Sequence, residues 1–124
     1  MIRTFFLLSA LFYSLLALEF HSYDEALKLQ KRTGKTIMLD VMRTDCRFCV
    51  KMDKEVFADK DMSAYLSEKF IPAKINLDKE ALPLGIKTHF TPSFFFINKE
   101  QEIIKTIPGS WNIEDFKELT KNIK

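Results

Sequence analysis

Residues Thr36 to Cys49, TIMLDVMRTDCRFC, decide the fold. The first half, Thr36 to Met42, is a short apolar run rich in β-forming residues and broken by one acid, Asp40, which is the pattern of a central strand buried on both faces. The second half ends in Cys46-Arg47-Phe48-Cys49, after which Cys49, Met52 and Val56 recur at helical spacing to about Phe57. The cysteine pair therefore stands after a strand and at the head of a helix. At a helix start the first backbone N–H groups are unpaired and the local field is positive, so the thiolate of Cys46 is favoured, while Cys49 lies one turn in and within reach of it. One sulfur attacks a substrate disulfide and the other resolves the mixed disulfide that forms. Arg47 favours the thiolate and Asp45 opposes it. A static disulfide, half of a metal site and two inert core thiols are the other uses of such a pair.

Outward from this stretch the chain reads as alternating elements. Ser22 and Glu25 have capping-box spacing, Tyr23, Ala26, Leu27 and Gln30 share a helical face, and Gly34 closes a helix over Tyr23 to Thr33. Met62, Tyr65 and Leu66 suggest a further short helix, and Ile71 to Leu77 a second strand in which Lys74 is out of place. Pro83 and Gly85 limit the segment from Glu80 to His89 to one or two turns with Leu82, Leu84 and Ile86 inward. Phe94 to Ile97 and Glu102 to Ile107 form a hairpin about the polar turn Asn98 to Gln101. Asn112 caps a last helix striped by Ile113, Phe116, Leu119 and Ile123.

The 124 residues allow one domain, and 47% hydrophobic and 29% charged residues place the chain in the globular range. Positive charges are interleaved with acids, which argues against nucleic acid as a partner. Two cysteines make no multi-disulfide framework, and three glycines, Gly34, Gly85 and Gly109, cannot supply the G-x-G-x-x-G turn of a dinucleotide site, so no cofactor is expected. Phe5 to Leu18 runs fourteen residues without a charge behind Arg3. That is short for a bilayer span and fits a signal peptide over residues 1–18 cut near Ala17, with a membrane anchor or a buried helix as alternatives. The folded domain is then expected over 19–124, exported to a bacterial periplasm.

LDVMRTDCRFC, AKINLD, GIKTHFTP and PGSW together resemble the thioredoxin family, from Thr36 to Lys124. The resemblance implies an α/β thioredoxin-like fold, a central mixed sheet flanked by helices. It implies that Asp40 is the buried acid behind the resolving Cys49 and relays its proton, with Lys74 as that acid's neighbour. It also implies a cis bond before Pro92, facing the cysteine pair, with the Thr91 backbone free to pair with an extended substrate segment. Phe48 is either a substrate contact or a helix-packing residue, as is Trp111. Asp45, Arg47, Phe48 and Met42 replace residues the family uses at its active-site surface, so the substrate surface is expected to differ from that of the general cytosolic reductase.

The resulting expectation is a monomeric exported thiol:disulfide oxidoreductase, reducing or isomerising disulfides of other exported proteins. Cys46 is the nucleophile, Cys49 the resolving thiol, Asp40 and Lys74 the relay, and Thr91, Pro92 and Phe48 the substrate contacts. Its electrons pass to or from an upstream thiol donor or oxidant protein. The alternative is a binding module that carries Cu(I) on the cysteine pair and Met42, with His21 and His89 as the other candidate metal ligands.

Overall fold

A computed structural model describes residues 18–124, so the leader expected over 1–18 lies outside the described residues except for Leu18. Strand β1, Thr36–Met42, pairs in parallel with β2, Phe70–Asn76, and antiparallel with β3, Ser93–Ile97. Strand β4, Ile103–Pro108, closes the other edge, giving a four-stranded mixed sheet of order β2-β1-β3-β4. The helices are α1 (Tyr23–Thr33), α2 (Arg47–Met52), α3 (Lys60–Lys69) and α4 (Ile113–Thr120).

The period of two along the strands sorts their side chains between two cores. Ile37, Leu39 and Val41 of β1, Ile71, Ala73 and Ile75 of β2, and Phe95 and Ile97 of β3 pack on one face with Ala26 of α1. Met38, Phe70, Phe94 and Phe96 point to the other face, where they meet Met52, Met62, Leu66 and Phe116. Phe94 lies edge-on to Phe57 and Phe116, with ring centroids 5.8 and 5.0 Å apart. Asp40 and Lys74 share the parity of Met38 and Phe70, so both project toward the face covered by α2. They are directly opposed in the β1–β2 register.

Local signals account for the element ends. The Ser22 hydroxyl accepts from Glu25 N–H at the start of α1, and Gly34, at φ 72°, donates its N–H to the Gln30 carbonyl at the end. The Asn112 side chain accepts from Asp115 N–H at 2.7 Å to cap α4. Two expectations are corrected. The helix after the cysteines is not α-helical to Phe57, because Asp53–Phe57 forms a π-helical segment. That wider turn lets Met52 and Phe57, five residues apart, both reach the core beside Val56. Leu84 does not pack inward: at φ 55° beside Gly85 at φ 68°, it sits at the tip of a turn closed by Ile86 N–H to Pro83 C=O and is exposed, while Ile86 is buried.

Ahead of α1, Leu18 is buried and donates its N–H to the Phe57 carbonyl, and His21 bridges to Ala73 alongside β2. No helix among the described residues is long and apolar enough to cross a membrane.

Candidate active site

Strand β1 delivers the chain to the end of the sheet, where Arg43 to Asp45 form a tight connection into α2. Asp45 takes a left-handed conformation, φ 56°, which a short polar side chain tolerates. The connection is pinned to the loop after β2: Thr44 N–H donates to the Asp78 carboxylate at 3.1 Å, Asn76 donates to the Thr44 hydroxyl, and Leu77 N–H reaches Met42 C=O. Cys46 then caps α2 and Cys49 lies in its first turn, the two joined as a disulfide with Cα atoms 5.2 Å apart.

Both sulfurs sit in nearly buried residues, with exposures of 6% and 4%. The Cys49 N–H donates to Cys46 Sγ at 3.2 Å, and the Thr91 hydroxyl lies 3.3 Å from the same sulfur. Two donors therefore converge on Cys46 Sγ and favour its thiolate once the pair is reduced. Cys49 Sγ has no such partner among the described residues. The arrangement thus distinguishes the two sulfurs: Cys46 Sγ receives donors and Cys49 Sγ does not.

Thr91 precedes Pro92 across a cis peptide bond. Among the described residues the Thr91 main-chain N–H and C=O make no hydrogen bond, while the Pro92 carbonyl is occupied by Gly109 N–H at 2.8 Å. The Thr91 backbone is thus unpaired beside the cysteines. Phe48 is 58% exposed and projects from α2 toward this loop, so it does not pack its helix into the core. Phe94, Phe95 and Phe96 are core residues. Trp111 is exposed, its indole N–H bonded to Pro108 C=O and its backbone N–H directed at the Met52 sulfur.

Asp40, on the face of β1 that α2 covers, is 2% exposed, and among the described residues its Oδ1 has no hydrogen-bond partner. Burial pushes its carboxyl from the usual carboxylate range up to about 7, the Lys74 ammonium opposing and the Asp53 carboxylate adding to the rise. Lys74, expected beside Asp40, is opposite it in register, but its ammonium is bonded to Asp53 Oδ1 at 3.1 Å and lies 4.2 Å from the Phe20 ring centroid. Asp53 was not anticipated from sequence. Its signal was there, an acid one helical turn beyond Cys49. The Thr91 hydroxyl was also unforeseen, since only the Thr91 backbone was expected to matter. Among the described residues no group of three or more His, Cys, Asp or Glu side chains is placed to hold a metal ion.

A family model described as a thioredoxin-like domain matches residues 23–124. Among solved structures the chain is similar to a thioredoxin from Thermus thermophilus at 24% identity and TM-score 0.70, covering 87% of this chain and 88% of that one. It is also similar to a Bacteroides thetaiotaomicron protein provisionally assigned as a disulphide isomerase, at 25% identity and TM-score 0.66, covering 88% and 95%. An oxidoreductase named DsbH matches at 18% identity and TM-score 0.66, covering 86% and 84%. No curated protein sequence matches.

The raised Asp40 carboxyl makes stability depend on pH. Between about pH 4 and about pH 7 the folded protein holds a proton that the unfolded chain releases, so stability falls as pH rises through that window and is level above it. Asp40→Asn removes the slope. In urea unfolding of the oxidised protein, the variant gains on the parent by about 3–4 kcal/mol between pH 4 and pH 8. Parallel stability profiles for the two proteins would contradict this.

Proposed function

Because the chain belongs to the thioredoxin-like family over residues 23–124 and is built as a thiol:disulfide oxidoreductase, we propose that it reduces or isomerises disulfides of other exported proteins through Cys46 and Cys49. One observation carries this reading. Cys46 Sγ receives two hydrogen-bond donors beside the unpaired Thr91 backbone, while a buried acid stands behind the helix that holds Cys49. Export rests on the uncharged run from Phe5 to Leu18.

In the reducing direction the Cys46 thiolate attacks one sulfur of a substrate disulfide. A Cys46–substrate bond forms and the substrate S–S bond breaks, its second sulfur leaving as a thiolate that takes up a proton. The substrate segment lies extended against the Thr91 N–H and C=O, a short form of strand pairing, and against Pro92 and Phe48. Cys49 then loses its proton to Asp40 and attacks Cys46 Sγ. The internal disulfide forms, the mixed disulfide breaks, and the substrate's remaining sulfur departs and is protonated. Two electrons and two protons pass from the cysteine pair to the substrate, and an upstream dithiol protein returns them.

Asp40 suits this relay because a carboxyl that titrates near neutrality exchanges a proton with a thiol at small cost. Lys74 tempers Asp40 from a distance while Asp53 holds its ammonium. Asp53 is therefore a positioning residue.

The reduction potential tests the reading, measured by equilibrating the protein in thiol redox buffers and trapping free thiols. A reductase lies near about −270 mV and an isomerase nearer about −180 mV. A value below about −300 mV, together with no mixed disulfide captured by Cys49→Ser, describes a permanent structural disulfide and overturns the proposal.

Relay chemistry has its own signature. Asp40→Asn slows release of the mixed disulfide about tenfold or more and removes the rise of that step's rate as pH passes through about 7. Asp53→Asn frees Lys74 toward Asp40, so the pH midpoint of that step moves to lower pH by about one unit, and Asp53→Glu restores it. Rates in Asp40→Asn equal to the parent's from pH 5 to 8 would remove the relay.

A further inference from the structure

Resting on the reading that Cys46 and Cys49 exchange disulfides with another protein, we propose a substrate class for the groove beside them. It takes an extended segment carrying a large apolar side chain next to its cysteine and an acidic side chain a few residues away.

The groove has a volume of about 440 Å³ and runs along Thr91, with Phe48 and Phe90 as its apolar walls and Arg43, Lys51 and His89 among its other lining residues. Phe48 and Phe90, at 58% and 70% exposure, are the two most exposed large hydrophobic side chains among the described residues. Two phenyl rings left in water on either side of one slot provide area that an apolar substrate side chain would cover.

The backbone that carries each wall is held in place. Phe48 is fixed by its place in α2 between the cysteines. Phe90 is held by its backbone: the Thr88 hydroxyl donates to Phe90 C=O and accepts from Phe90 N–H, and the Ser93 hydroxyl donates to the same carbonyl at 2.7 Å. Ser93 is itself buried at the start of β3, so the loop is stapled to the sheet. A slot prepared in this way gives up less conformational freedom on binding.

Charge decides the rest of the occupant. Arg43 and Lys51 line the groove and, among the described residues, no Asp or Glu does. The adjoining cleft, which Cys46 and Cys49 themselves line and which shares Arg43 with the groove, is mixed in charge, with Asp45 and Asp53 among Arg43, Arg47 and Lys79. The preference for an anionic side chain therefore belongs to the Thr91 side, where the backbone dock lies. Such complementarity speeds encounter and rejects wrong partners, and salt weakens it.

The test compares disulfide-linked peptides of one backbone that differ at two positions. One has Phe beside the cysteine and Glu near it, one has Phe with Lys, and one has Ala with Glu. With the reduced protein at low ionic strength, kcat/KM for the Phe/Glu peptide exceeds that for Phe/Lys about tenfold, and the ratio shrinks at high salt. It exceeds that for Ala/Glu by a similar factor. In the double variant Arg43→Glu, Lys51→Glu the Glu-over-Lys preference reverses, and in Phe90→Ser the Phe-over-Ala preference falls. Because each result is a ratio within one protein, a general loss of activity leaves it readable. Equal rates for the three peptides, or a charge preference that persists in the double variant, would overturn the proposal. No exchange with any peptide, nor with a small uncharged disulfide, would instead overturn the oxidoreductase reading beneath it.

Discussion

A carboxyl group buried in the central strand, with one oxygen unpartnered, is the constraint from which the rest of the site follows. Asp40 sits on β1 between β2 and β3, opposite Lys74 and Phe94 in register, and the Lys74 ammonium is bound to Asp53. Ionising it there is unfavourable, so the fold keeps it protonated toward neutral pH. A carboxyl in that condition weakens the folded state above pH 7. The nearby ammonium does not remove the constraint, because Asp53 has taken its close hydrogen bond.

The sheet explains how distant segments come to share one site. The parallel β1–β2 pair brings the carboxyl ends of both strands to the same edge, where the loop before α2 is tied to the loop after β2 through Thr44, Asn76 and Asp78. The antiparallel β1–β3 pair brings the start of β3 to that edge as well, so Thr91 arrives next to Cys46 although 45 residues separate them. Once reduced, Cys46 has its charge stabilised by donors at this edge. Cys49, nearly buried on α2, has no such donor among the described residues. The asymmetry between the sulfurs is thus a product of strand directions and of helix start, with side chains refining it.

Much of this was legible from the residue order. The bounds of α1 and β1 could be read from the Ser22 and Gly34 punctuation and from the apolar run that follows. The strand, cysteine pair and helix gave the fold class, and the out-of-place Asp40 and Lys74 stand opposite one another in the sheet with Asp40 buried. What sequence did not disclose depends on three-dimensional competition. A lysine opposite an aspartate in register looks like its partner, but the side chain bends to whichever carboxylate approaches over the sheet, and Asp53 is brought there by the helix. The π turn at Asp53 arises because Met52, Val56 and Phe57 must all be buried, which an apolar pattern alone does not distinguish from an α-helix. Leu84 was misplaced for a similar reason: apolarity predicted burial, while its Pro-Leu-Gly setting makes a turn whose tip faces solvent.

The most direct test of this account is the titration of the Asp40 carboxyl carbon itself, followed by carbon-13 NMR in the oxidised protein and assigned by its absence in Asp40→Asn. The account predicts a single transition near pH 7 that moves to lower pH in Asp53→Asn. A transition near pH 4, unchanged by loss of Asp53, would show an ordinary solvated carboxylate and would contradict the proposed role of Asp40.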